Sequence, residues 1–229
     1  MKRKALRFIL AILVIPTLCH WGRTAIADEP PGPSTELAKP PIGQSEREKQ
    51  ILAVLVDLDK QRPGNWNVPE VDGRLLRILA ESINAQNVVE LGTSNGYSTL
   101  WMALAMEKTG GKITTFEIDV AKIKLAKENF ARAAVESKIT IIAGDAHDEV
   151  KKSKEPIDLL FLDADKEGYL DYLQKLLPHV RPGGLILSHN MHVPKPDPRF
   201  VEAITTNPAL ETVFVNMDAA GMAITLKKR

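Results

Sequence analysis

The chain contains a single cysteine, Cys19. A disulfide framework is therefore excluded, as are a zinc site built on several cysteines and, in anything that begins beyond residue 19, a thiol nucleophile. Charge of one sign is not in excess either: 30 Lys and Arg stand against 29 Asp and Glu, a formal net charge of +1. Nothing here offers the basic face that a nucleic-acid partner requires. The sequence has no apolar run of about 20 residues, the length needed to span a bilayer comfortably, and no repeat of solenoid type. What is present suits one globular domain with appendages: 229 residues, of which 44% are hydrophobic and 26% charged, enough for one sizeable core.

The appendages come first. Lys2, Arg3, Lys4 and Arg7 precede the apolar stretch Phe8–Leu18, and Ala25-Ile26-Ala27 is followed by Asp28. That order reads as a secretory signal with an A-x-A cleavage site, so the chain is expected to be exported to the periplasm or medium, or anchored to the membrane if the signal stays attached. No other membrane association is expected. Removing residues 1–27 deletes five basic residues and no acid, which takes the formal charge from +1 to −4, and it deletes Cys19 as well. Residues 28–44 hold five prolines and almost no large apolar side chain, the composition of an extended, disordered linker.

From Ser45 to the end the text reads as one domain. Ser45 with Glu48 three residues on forms a capping box, and Ile51, Leu52, Leu55, Val56 and Leu58 continue a helix. A second helix is expected from Pro69, with Leu75, Leu76, Ile78, Leu79 and Ile83 as its apolar stripe. After Asn87 short apolar runs alternate with helical segments, the pattern of βαβ units and a parallel sheet. The runs are Val88–Leu91, Lys112–Ile118, Ile139–Ala143, Ile157–Leu162 and Leu185–Ser188. Helices are expected near Tyr97–Lys108, Val120–Val135, Ala146–Lys151, Gly168–Val180 and Asp197–Thr206. The tail, Glu211–Asn216 and Met222–Leu226 joined by a short turn, reads as an antiparallel pair.

In an open α/β sheet, ligands bind beyond the carboxyl ends of the strands, and those ends are polar here. The first run leads into Glu90-Leu91-Gly92-Thr93-Ser94-Asn95-Gly96-Tyr97-Ser98. Gly92 permits a sharp turn, and Gly96 is expected to let the backbone approach a ligand. The dinucleotide fingerprint G-x-G-x-x-G fails at Ser94 and Tyr97, which argues against NAD but not against a nucleoside without a pyrophosphate. Glu117 ends the second run, at a distance from the glycine loop that suits a carboxylate accepting both protons of a ribose diol. Asp145 and Ala146 follow the third, in a turn suited to an adenine edge.

Asp163 ends the fourth run, and His189 with Asn190 ends the fifth. Asp163, His189 and Asn190 are a candidate ligand set for one divalent cation, which would hold a substrate hydroxyl and lower its pKa while Lys166 received the proton. The plainer alternative is a surface pair of Asp163 with Lys166 and a His189 that caps a strand. Trp66 is a candidate wall for a planar acceptor or an ordinary packing residue. Tyr169, Tyr172 and Trp101 read as packing.

From Ser45 to Leu226 the stretches VVELGTSNGYST, TTFEID, AGDA, IDLLFLDADK and RPGGLILSHN resemble the cation-dependent O-methyltransferase family that includes catechol and caffeoyl-CoA O-methyltransferases. The resemblance implies a Rossmann-like, doubly wound α/β fold. Its sheet would have seven strands, mostly parallel with an antiparallel C-terminal strand, preceded by helices that pair two subunits into a homodimer. It also implies S-adenosylmethionine as cofactor and a small hydroxylated acceptor. The cofactor-binding set would be Glu90, Gly92, Thr93, Ser94, Gly96, Tyr97, Ser98, Glu117, Ile118, Asp145, Ala146 and Asp163. Within it the glycine loop and Glu90 take the methionine part, Glu117 the ribose, and Asp145 with Ala146 the adenine. Asp163 would be a metal ligand and Lys166 the general base. One departure stands out, since the family pattern has Asp-Asn where this chain has His189-Asn190. A neutral imidazole there weakens a site for a hard cation such as magnesium and favours softer divalent ions, so the expectation is either a transition metal, manganese or a softer one, or no metal. The competing reading is a noncatalytic exported protein that binds small molecules on the same fold.

Overall fold

The computed structural model describes residues 39–62, 65–153, 155–192, 194–216 and 220–229. The signal read in residues 1–27, and the linker up to residue 38, lie outside them. The last linker residues are held against the domain: Arg74 Nη1 donates to the Lys39 carbonyl at 2.9 Å, and the Gln44 N–H donates to the Glu48 carboxylate at 2.9 Å.

Helix α1, Glu46–Asp59, starts where the cap was expected, with Ser45 Oγ accepting the Glu48 N–H at 3.2 Å. The reciprocal half differs, because the Glu48 carboxylate takes the N–H of Gln44 rather than that of Ser45. Glu48 is buried and neutralised by Lys108 Nζ at 2.5 Å and Arg77 at 3.6 Å. Val56, expected on the apolar face, is exposed. Helix α2, Glu70–Ser82, takes Pro69 as its cap, and its buried face is Asp72, Gly73, Leu76 and Ala80. The expected stripe is therefore rotated: Ile78 is exposed, and Leu75, Leu79 and Ile83 are only partly buried.

The seven strands are β1 (Asn87–Leu91), β2 (Lys112–Glu117), β3 (Ile139–Ala143), β4 (Ile157–Leu162), β5 (Val180–His189), β6 (Leu210–Val215) and β7 (Met222–Lys227). They form one sheet in the order β3-β2-β1-β4-β5-β7-β6, with β7 antiparallel to both neighbours and the other pairings parallel. Helices α3 (Tyr97–Thr109), α4 (Val120–Ala133), α5 (Ala146–Glu149), α6 (Tyr169–Leu176) and α7 (Pro198–Thr206) complete the fold. Three expected bounds shift: the helix expected near Ala146–Lys151 is a single α-turn followed by the 3₁₀ turn Val150–Lys152, the one expected near Gly168–Val180 ends at Leu176, and β5 begins at Val180, well before Leu185.

Successive strand residues face opposite sides, so β1 sends Val88 to one core and Val89 and Leu91 to the other. The first core lies under α1, α2, α3 and α4; the second lies under α6 and α7. Helix α3 is buried on all sides from Tyr97 to Met106. It is apolar all round because it sits between the sheet and the outer helices α1 and α2. The strand order reverses between β1 and β4, and their ends are locked by the Asp163 N–H donating to the Leu91 carbonyl at 2.9 Å. That reversal is where such a sheet opens a crevice for a ligand. Among the described residues no helix is long and apolar enough to cross a membrane.

Candidate active site

A cavity of about 800 Å³ opens at this crevice. Its lining includes Gly92, Thr93, Ser94, Tyr97 and Ser98 from the first loop, Glu117 and Ile118 after β2, and Asp145 and Ala146 after β3. Asp163 and Lys166 follow β4, and His189 and Asn190 close the fifth strand end. One space thus gathers all the sequence-derived site residues except Glu90 and Gly96.

Those two exceptions have clear causes. Glu90 lies beneath the loop, fully buried. Its carboxylate accepts from Ser98 Oγ and Thr99 Oγ1 at 2.5 Å and from Thr115 Oγ1 at 2.7 Å. Burial pushes its pKa up to about 7 against the pull of those three hydroxyls. It braces the loop from below and does not face the cavity. Gly96, at φ 87°, was expected to admit a ligand; a Cβ there would instead lie 2.4 Å from the Phe130 ring of α4. The constraint is helix packing. The loop itself is tied down by the Gly92 and Thr93 N–H groups, which both donate to the Phe116 carbonyl at 3.0 and 3.1 Å.

Glu117 is set by three backbone donors, Ser94 N–H at 2.8 Å, Ile118 N–H at 3.0 Å and Asp119 N–H at 2.9 Å. A carboxylate fixed in this way keeps lone pairs for a diol. Asp145 uses one oxygen to cap α5 through the His147 N–H at 2.8 Å. His147, which the sequence did not single out, and Tyr172, read there as packing, stack at 4.5 Å on the cavity wall beside them. Trp66 also lines the cavity; it is 87% exposed with a left-handed φ of 57°.

At the β4–β5 end, Lys166 Nζ donates to Asp163 Oδ1 at 2.8 Å and to the Tyr169 hydroxyl at 3.0 Å. Tyr169 is buried and its hydroxyl is shared between the Leu162 and His189 carbonyls at 2.8 and 3.1 Å, so it fixes both strand ends. The His189 ring lies between two carboxylates, with Nδ1 3.3 Å from Asp163 Oδ1 and Nε2 3.0 Å from Asp72 Oδ2. Burial lowers the His189 pKa, but hydrogen bonds and charge from Asp163 and Asp72 outweigh it and lift the value to about 9. Burial alone would raise Asp163; His189 and Lys166 hold it below the usual carboxylate range. Asp72 was missed because it sits in a segment read as an apolar helix.

The family model described as O-methyltransferase matches residues 43–211. The chain belongs to the O-methyltransferase family. The catechol O-methyltransferase of Niastella koreensis is 38% identical over 143 residues, 61% of this chain and 63% of that protein. The tapetum-specific methyltransferase 1 of Arabidopsis thaliana is 37% identical over 151 residues, 63% of this chain and 64% of that protein. The matches thus span a little under two thirds of these relatives. An O-methyltransferase from Bacillus cereus, solved in complex with SAH, superposes with a TM-score of 0.69 at 25% identity, covering 85% of this chain and 94% of that one.

In this chain the cation site expected from the resemblance does not fit. Both His189 nitrogens are engaged by carboxylates, so neither offers a lone pair, and Asp163 Oδ1 already carries Lys166. His189 as a neutral ligand is therefore corrected to His189 as a doubly hydrogen-bonded link between α2 and β4.

That link has a consequence for stability. A histidine whose pKa rises from 6.5 to about 9 on folding stabilises the fold fully below pH 6.5 and loses its contribution as pH climbs through 9. The amount is on the order of 3 kcal/mol. Calorimetry of the chain should show its Tm falling between pH 6.5 and 9, with a flatter profile in His189→Gln. A wild-type Tm that is constant or rising over that interval contradicts the assignment.

Proposed function

We propose that the chain transfers a methyl group from S-adenosylmethionine to a hydroxyl of a small aromatic or catechol-like acceptor. The observation that carries this reading is the convergence of Glu117, Asp145, Asp163 and Lys166, from three successive strand ends, on one cavity. The residues suit the cofactor. Glu117 is an anchored acceptor for ribose hydroxyls, Ala146 and Ile118 supply an apolar edge, and Ser98 lies over the buried Glu90. Bound there, S-adenosylmethionine supplies a methyl group already activated by its sulfonium.

The chain's own task is then to hold and deprotonate the acceptor oxygen. Lys166, a quarter exposed, is the group that meets it. With its own proton given up to solvent, neutral Nζ takes the hydroxyl proton as the oxygen bonds to the methyl carbon and the methyl–sulfur bond breaks, and the ammonium so formed is neutralised by Asp163. Most of the acceleration comes from alignment of the reacting atoms, worth up to roughly 7–11 kcal/mol in well-oriented systems. Trp66 supports an aromatic acceptor, since it offers a broad apolar face at the cavity mouth. A divalent cation enters no step of this scheme. The noncatalytic alternative is not favoured, because binding alone gives Lys166 and Asp163 no reason to share the cavity.

The test is methyl transfer itself. The full chain, given S-adenosylmethionine labelled in its methyl group and a catechol, should yield labelled methyl ether; cofactor binding without transfer to any hydroxylated aromatic would overturn the reading. From residues 1–27 we infer export, checked by the mass of the native N-terminus: a chain beginning at Asp28 supports it and one beginning at Met1 does not. Pairing of two subunits through α1 and α2 belongs to the same proposal.

A further inference from the structure

The place where the family resemblance puts a cation is filled by the chain's own positive groups. Asp163 Oδ1 receives Lys166 Nζ at 2.8 Å and faces His189 Nδ1 at 3.3 Å, while His189 Nε2 meets Asp72 Oδ2 at 3.0 Å. An ionised carboxylate only accepts, so a ring held between two of them donates from both nitrogens and is an imidazolium. Asp72 and His189 are almost wholly buried, with side-chain exposures of 2% and 6%, which keeps the arrangement from being a solvent-averaged contact. Two cations and two carboxylates balance one another. A divalent ion entering this cluster would meet an ammonium and an imidazolium around a single available carboxylate.

We propose that the row Asp72–His189–Asp163–Lys166 replaces the divalent cation, making this chain a metal-independent O-methyltransferase that selects acceptors by one hydroxyl rather than by a vicinal pair. The second half rests on the methyl-transfer reading above. A metal ion recognises a catechol by binding both of its oxygens, whereas a single ammonium at Lys166 is satisfied by one. His189, with both nitrogens occupied inside the protein, touches no acceptor; it is a positioning residue that holds Asp163, and through it Lys166, against the cavity. Asp72 extends that hold to α2, so the orientation of Lys166 depends on a helix more than ninety residues earlier in the chain.

The first test needs no turnover. The full chain, freed of metal with a chelator and then of the chelator, is titrated with manganese(II) while the spectrum of the free hydrated ion is followed by electron paramagnetic resonance, with and without S-adenosylmethionine. The wild-type titration should overlay the buffer blank, and His189→Asp, which restores a second carboxylate beside Asp163, should deplete the free-ion signal. Capture of manganese by the wild type, lost in Asp163→Asn, overturns the proposal even if His189→Asp does not fold. The second test compares a phenol bearing one hydroxyl with one bearing a vicinal pair, in excess chelator. Methylation of the single-hydroxyl phenol at a rate unchanged by chelator is expected. Transfer confined to the vicinal diol and abolished by chelator overturns it. Should no phenol be methylated, the methyl-transfer reading falls, and the manganese titration still decides the metal question.

Discussion

Lys166→Ala lowers kcat by about 10²–10⁴-fold, the range lost with a general base, and leaves the affinity for S-adenosylmethionine nearly unchanged. The asymmetry follows from position: Lys166 reaches Asp163 Oδ1 and the Tyr169 hydroxyl at the β4–β5 end, whereas Glu117, Asp145 and Ala146, the residues proposed for the ribose and adenine, lie beyond β2 and β3. Lys166→Arg separates the two parts of the role. Arginine keeps the positive charge but does not surrender its proton at accessible pH, so it restores acceptor binding and not the proton-transfer part of kcat. Steady-state kinetics with calorimetry of cofactor binding make the comparison. Equal loss of turnover and cofactor affinity in Lys166→Ala would show the lysine to be structural.

Gly92→Ala is the second large effect, and here it falls on the fold. At φ 98° the backbone is in a region that L side chains rarely adopt, and a Cβ would lie 2.6 Å from the Asp163 carbonyl oxygen and 2.9 Å from its carbon. Those neighbours are backbone atoms of the next strand end and cannot rotate away. Backbone strain of about 1–3 kcal/mol adds to a clash of similar size, so a loss of about 2–6 kcal/mol is expected. Denaturant unfolding measures it directly. Because the displaced segment carries Asp163, any folded fraction should also bind S-adenosylmethionine poorly. A variant of wild-type stability would mean that the β1 and β4 ends are not in contact as described.

The βαβ rhythm, the reversed last strand and the polar strand ends were all legible in the sequence because each is a local signal: periodicity, a short turn, an acid after an apolar run. Glu117, Asp145 and Asp163 were found by the last of these signals, Lys166 by its place three residues after Asp163, and the family resemblance implied the same roles. Glu90 was placed on the ligand by the family resemblance, but Ser98 and Thr99 close over its carboxylate, and Ser98 is the one of the three that reaches the cavity. Gly96 was read as an opening for a ligand, and only the tertiary approach of Phe130 reveals what it accommodates. Asp72 was invisible for a similar reason. An acid on the buried side of a helix, four residues before Leu76, is a signal in principle, but its partner His189 is 117 residues away. Spacing does not announce such pairs.

The central claim is that the strand-end acids form the site for S-adenosylmethionine, and one titration addresses it most directly. Calorimetry of the full chain with S-adenosylmethionine, beside Glu117→Ala, should give binding at about micromolar concentration, an affinity of roughly −8 kcal/mol, for the wild type. In the variant, whose fold is checked by its Tm, that binding should fall at least about tenfold, the cost of losing a charged hydrogen-bond partner. No binding by the wild type, or undiminished binding by the folded variant, would contradict the account.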